Sequence, residues 1–355
     1  MEKKTVNHEM IVLARESRGL TQAQVATKIG VTQVTISKVE KGLGQVSDVL
    51  LGGLIRHLDY PADFFYTPGY RYPPATPFHR KKMSLPKKIQ YQLEAQANLR
   101  RLHVTQLFDA VEHISVPIPY LDIDDYGGSP AEVARAVRGY LRLPRGPIKN
   151  ITKILEDQKI IVLRCNFGTT LIDGFTLIAE GKQPIIFVNR ELLGDRLRFT
   201  LTHEYGHIVM HTVPHPRMEE EANVFAGEFL MPAEEIRASL RNITLQSLAN
   251  LKPYWKVSMA ALLYRAKDLQ TITPNQFRHL WAMMGVHGYA KREPSRLDVA
   301  VEEPTVFNEM VQLHIDDLSY TEAELCSMLA IHSKDFRELY PGMEFGGRRG
   351  LRSIK

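Results

Sequence analysis

The sequence predicts a multidomain, mainly α protein: an all-α N-terminal unit, an α+β unit with a small sheet, and a helical C-terminal region. Three observations predict it. Short helical runs capped by Thr and closed by Gly fill residues 8–66, and three β-branched runs with Gly-bearing turns stand between 160 and 189. Pro-containing breaks near 68–77 and 293–304 then divide the chain. These signals set the units at 1–66, 67–115, 116–290 and 291–355.

In the first unit, Ile11 to Leu20 reads as a helix closed by Gly19. A second helix starts at the N-cap Thr21 and turns at Gly30, and a third runs from Thr32 or Gln33 to Gly42. Two short helices joined by a Gly-containing turn form a helix-turn-helix, whose second helix enters the DNA major groove. Gln22, Thr32, Gln33, Thr35, Ser37 and Lys38 are the candidate DNA contacts, since Gln pairs with adenine and hydroxyls or Lys reach phosphate or base edges. Val31, Val34, Ile36 and Val39 are expected to stay behind as core. The runs Leu20-Thr21-Gln22 and Gly30 to Gly42 resemble the Cro/repressor (XRE-type) helix-turn-helix, which implies a double-stranded DNA partner and homodimeric binding.

The stretch Pro68 to Pro77 is too rich in proline to continue a helix and reads as a linker. A basic segment follows, with Arg80, Lys81, Lys82, Lys87, Lys88, Arg100 and Arg101 against the single acid Glu94. It offers either phosphate contacts or the solvated face of a helix over about 86–113.

Helical periodicity returns at 130–145 and at Ile151 to Leu155, before strands at 160–164, 170–178 and 184–189. The last strand delivers the chain to Thr202-His203-Glu204-Tyr205-Gly206-His207. This is an HExxH pattern, expected by chance in roughly a few per cent of chains of this length. On a helix, residues i and i+4 share a face, so His203 and His207 can offer two nitrogens to one zinc ion with Glu204 beside the water that ion would hold. A third protein ligand is required, and Glu219-Glu220-Glu221 at the start of the next predicted helix supplies three candidates, with His211 as a competitor. Ile172 to Leu177 is the candidate sheet edge for an extended peptide substrate.

The segments RFTLTHEYGH, EEEANVFAGEFLMP and LKPYWKVSMAALLYRAKDL resemble, in order and spacing, the successive blocks of the ImmA/IrrE family of zinc metallopeptidases. That resemblance implies a zincin-like α+β domain with bound Zn2+, held by His203, His207 and Glu221, and Glu204 as the base that activates water. It also implies a helix-turn-helix repressor protein as substrate. Tyr205 stands where the family usually shows Leu, at a position expected to turn away from the metal. Downstream, Tyr264 and Arg265 are candidates to steady an oxyanion, against simpler roles in packing and in a surface ion pair.

After residue 293, apolar periodicity at 305–314 and 321–331 predicts helices that pack on the body, and residues 346–352 form a basic tail. No apolar run approaches a membrane span, and Met1-Glu2-Lys3-Lys4 is not followed by a signal-peptide core. Cys165 and Cys326 lie far apart, outside any zinc or disulfide framework, which fits a cytoplasmic location. The formal charge of +5 is compatible with nucleic acid. Two functions follow: a DNA-bound peptidase that removes a repressor by cutting it, or a DNA-binding regulator whose zinc fold senses a ligand or partner. Self-cleavage at 67–77 is a weaker third.

Overall fold

The computed structural model describes residues 5–72, 85–110, 120–179 and 181–341. Arg80, Lys81, Lys82 and the basic tail at 346–352 therefore lie outside the described residues, as does the second half of the linker.

The N-terminal unit contains α1 (His8–Ser17), α2 (Gln22–Ile29), α3 (Gln33–Glu40) and α4 (Asp48–Leu58). Each start is fixed by a short polar side chain. Thr21 closes a capping box with Gln24, Thr32 accepts from the Thr35 amide and Ser47 accepts from the Leu50 amide. Gly30 ends α2 at φ 75°, the left-handed conformation that the sharp turn into α3 requires. Met10, Leu13, Val25, Ile36, Val39, Leu54 and Phe65 form the core of this unit. Arg15 and Glu40 are buried together beneath it, with Arg15 Nη2 3.0 Å from Glu40 Oε2.

The long helix α5 (Lys87–Asp109) follows. Ala95, Leu99 and Leu102 complete the N-terminal core, while Leu93, Ala97, Val104, Leu107 and Phe108 enter a second core under the sheet. Both readings offered for its basic residues fail at Arg100 and Arg101, which are 7% and 6% exposed. Helical periodicity was right, but a helix with two apolar faces needs two partners, and these come from residues remote in sequence. Arg101 donates to Tyr70 O at 2.8 Å and lies over the Tyr72 ring, and Asn98 bonds both backbone groups of Tyr72. The described part of the linker is thereby fastened to α5.

α6 (Pro130–Tyr140) and α7 (Ile151–Asp157) precede a sheet of β1 (Ile161–Cys165), β2 (Gly174–Leu177) and β3 (Ile185–Asn189) in the order β1-β3-β2. β1 runs parallel to β3 and β2 antiparallel to it, with Phe175 opposite Phe187 and Thr176 opposite Ile186. Alternation divides the side chains: Val162, Ile186 and Val188 face one core, Ile161, Leu163, Phe175 and Phe187 the other. The first core is closed by α8 (Gly194–Met210), α9 (Met218–Leu230), the single turn α10 (Ala233–Ile236), α11 (Leu245–Trp255), α12 (Met259–Asp268) and α13 (Pro274–Val286).

The second core is closed by α14 (Val306–Asp316), α15 (Glu322–Met328) and α16 (Ser333–Leu339). Carboxylates bind this C-terminal region to the body. Glu302 accepts from the Ile151 amide at 2.7 Å and pairs with buried Arg198, and Glu156 accepts from the Thr305 and Val306 amides. Lys252, also buried, pairs with Asp195 and Glu293. Among the described residues no helix is long and apolar enough to cross a membrane.

Candidate metal and DNA-binding sites

The sheet sets α8 across its face, so that the middle of that helix is wholly enclosed. His203, Glu204 and His207 are 1%, 4% and 3% exposed. The two imidazoles meet edge on, with Nε2 to Nε2 at 3.1 Å. His203 Nδ1 lies 3.1 Å from Asn223 Oδ1, an acceptor, so Nδ1 carries the proton and Nε2 presents its lone pair inward. His207 Nδ1 lies 2.9 Å from His211 Nδ1. Burial, with His207 beside it, holds the His211 imidazole down at about 4. Glu204 accepts from Thr176 Oγ1 on β2 at 2.8 Å, which ties its carboxylate to the sheet.

The donor that joins this pair is Glu219. Its oxygens lie 3.4 Å from His203 Nε2 and 3.2 Å from His207 Nε2. Glu221, which the family resemblance assigns as ligand, instead sets Oε2 3.1 Å from His211 Nε2 and 3.3 Å from His215 Nε2. The reason is helical phase. Glu219 and Asn223, four apart, face α8 together, whereas Glu221 is rotated from Glu219 by about 200°. Of the three acids left open by the residues themselves, Glu220 is exposed to solvent.

Gly206 permits this approach of α8 and α9, since a Cβ there would stand 3.0 Å from the Phe225 ring. Tyr205 turns into the core, 1% exposed and edge-on to Phe225 and Phe229, as its place in the motif implied. A groove beside His207 is walled by Thr176, Ile178, Ile208, Thr212, Val213 and Pro214. Among the described residues β2 pairs with β3 alone, and Thr176 of β2 lines this groove.

The donor set fits a zinc ion. Tetrahedral coordination with Zn–N bonds near 2.0–2.1 Å places ligand atoms about 3.3 Å apart; the two Nε2 atoms are 3.1 Å apart, and the two Glu219 oxygens each face one of them, Oε2 at 3.4 Å from His203 and Oε1 at 3.2 Å from His207. Thr176 and Asn223 belong to the site although neither was singled out from sequence.

Tyr264 and Arg265 do not join it. Arg265 is buried against Glu228 and donates to Met231 O at 3.0 Å, while Tyr264 packs at the surface against Phe277 and Trp281. The simpler reading holds for both, except that the ion pair is buried rather than superficial.

On the N-terminal unit, Thr32, Gln33 and Lys38 are exposed along α3, and Thr35 and Ser37 are half-buried. Thr32 Oγ1 meets Thr35 Oγ1 at 2.9 Å, which places both hydroxyls at the helix start. Gln22 is half-buried and gives its amide to Glu40 Oε2 at 2.7 Å. Val34, expected in the core, is 61% exposed. It follows Gln33 on the outer side of α3, and Ile36, Val39 and Glu40 fill the inward positions of that helix. Val34 therefore adds an apolar contact to the exposed face.

A four-helix unit with α3 exposed is joined to an α+β domain whose helix carries HExxH. Residues 11–65 match the helix-turn-helix family model, and residues 155–267 match that of the IrrE N-terminal-like domain, a peptidase family. The chain thus carries a helix-turn-helix domain followed by an IrrE-type peptidase domain. Comparison with curated proteins gave no match.

Proposed function

We propose that this chain is a DNA-binding zinc metallopeptidase that regulates transcription by site-specific cleavage of a helix-turn-helix repressor. The observation that carries the reading is the convergence of His203, His207 and Glu219, whose ligand atoms lie within 4.8 Å of one another, with the neighbouring Glu204 tied down by Thr176. When bound there, zinc supplies Lewis-acid polarisation of a carbonyl and acidifies water. Glu204 takes a proton from the attacking water and delivers it to the leaving amine, and Thr176 keeps the carboxylate aimed during both transfers. His203 and His207 are oriented through their Nδ1 atoms by Asn223 and His211. The free edge of β2 offers main-chain hydrogen bonds to an extended substrate lying in the groove. The helix-turn-helix unit would bring the peptidase to the operator on which its substrate sits, and it makes a homodimer the expected DNA-bound form.

A second reading, a regulator whose peptidase fold senses a ligand without cutting, is favoured by the shared helix α5, which couples the two domains. The two are separated by comparing the parent with Glu204→Gln for zinc content and for cleavage of candidate helix-turn-helix repressors. The proposal expects zinc in both proteins and a loss of cleavage of about 10²–10⁴-fold in the variant. Stoichiometric zinc with no cleavage by the parent, alongside tight DNA binding, would establish the regulator instead.

A further inference from the structure

Beside the site already described, three more donors converge. His211 ends α8, His215 lies in the connection to α9, and Glu221 stands in the first turn of α9. His211 Nε2 and His215 Nε2 lie 3.1 and 3.3 Å from the same oxygen, Glu221 Oε2, and the three ligand atoms fall within 4.8 Å of one another. The His211 and Glu221 side chains are 3% and 10% exposed, and that of His215 is 37% exposed, so the cluster has a buried floor and an open side. The other Glu221 oxygen meets the exposed Arg217 guanidinium at 3.5 Å, which leaves Oε2 to the histidines.

We infer that His211, His215 and Glu221 form a second site for a divalent transition-metal ion, distinct from the one on His203, His207 and Glu219. Two imidazoles and a carboxylate suit zinc, copper or nickel rather than calcium or magnesium. The spacings to Glu221 match the ligand separation of about 3.3 Å expected around tetrahedral zinc. α9 then divides its acids between two ions, Glu219 serving one and Glu221, on the opposite side of the helix, the other. An ion at the second site ties the end of α8 to the start of α9 and fixes Thr212, Val213 and Pro214, which wall the groove beside His207. Metal supply would thus set the shape of the groove as well as fill the inner site. His215 is 37% exposed, whereas His203 and His207 of the first site are buried, so the second ion is held more weakly than the first.

This inference does not depend on peptidase activity, and its test measures binding only. The metal-free full chain is titrated with Zn2+ against a chromophoric chelator, for the parent and for His215→Asn, Glu221→Gln and Glu219→Gln, each checked for folding by circular dichroism. The parent should bind two equivalents, one tight and one weaker. His215→Asn and Glu221→Gln should weaken only the second, by roughly tenfold or more, and Glu219→Gln should weaken only the first. A single equivalent in the parent would overturn the inference and reduce His211 and Glu221 to supports that orient His207. A second equivalent untouched by both His215→Asn and Glu221→Gln would overturn it as well. Loss of the tight equivalent in Glu221→Gln, with Glu219→Gln unaffected, would return Glu221 to the inner site and sink both assignments together. A parent that binds two equivalents but cleaves nothing would count against the peptidase alone.

Discussion

Arg18, at the end of the first helix, makes a bidentate ion pair with Asp335 in the last helix: Nη2 to Oδ2 is 2.7 Å and Nη1 to Oδ1 is 3.2 Å. The same guanidinium donates to Leu58 O and Asp59 O and lies over the Tyr60 ring, and Lys334 pairs with Asp59. The C-terminal region is therefore docked on the DNA-binding unit. Asp335→Ala strands a half-buried guanidinium and should cost about 1–3 kcal/mol. Thermal melting and amide exchange across α16 would record this, and an unchanged melting curve would show that the pair contributes nothing.

On the proposed function, Asn223 positions the ligand His203 without being one itself. Asn223→Ala removes the acceptor for His203 Nδ1–H and should lower zinc affinity or activity by about 10–100-fold. Competitive zinc titration of folded variant and parent is the check; equal affinities would exclude the orienting role.

Two residues of α3 should separate specificity from affinity. Lys38→Ala should weaken binding to all duplexes alike and reduce the slope of log K against log salt by about one. Gln33→Ala should cost about 1–3 kcal/mol at the preferred operator and little at random sequence. Anisotropy titrations at several salt concentrations distinguish the two. Equal effects of Gln33→Ala on both duplexes would refute base reading by that residue.

His103 gives folding a pH dependence. It is 3% exposed, with Nδ1 2.7 Å from the Tyr340 hydroxyl, and burial, aided by the nearby Arg100 charge, lowers it from 6.5 to about 3. The unfolded chain takes up a proton below about 6.5 while the folded chain stays neutral until about 3. This contribution is complete above pH 6.5 and is lost as pH falls toward 3, at about 1.4 kcal/mol per unit. Denaturant midpoints between pH 7 and 4 should fall more steeply for the parent than for His103→Gln.

Gly194 opens α8 where a Cβ would stand 2.3 Å from Val299 O and 2.5 Å from Ala300 O. Backbone cannot yield as a side-chain tip can, so Gly194→Ala should destabilise by about 1–3 kcal/mol. Chemical denaturation measures it, and a neutral result would show that the 299–300 segment moves freely.

What the sequence made legible was local. Caps at Thr21, Thr32 and Thr321, the turn at Gly30 and the one-face geometry of His203 and His207 depend on neighbours within four residues, and the structure agrees with each. The three strands fell within a few residues of their predicted bounds. What escaped was phase between elements. Seeing that Glu219 rather than Glu221 faces the histidine pair requires the rotation of α9 against α8, and seeing Val34 outside requires the packing angle of α3. The burial of Arg100 and Arg101 depends on partners drawn from both ends of the chain.

Because α5 is built into the core of the DNA reader and the core beneath the sheet alike, melting of one domain should strip packing from the other. Operator DNA at one end and metal or substrate at the other would draw on a common folding free energy. Each should raise the temperature at which the whole chain unfolds, so that heat resistance becomes a gauge of occupancy at sites that never touch.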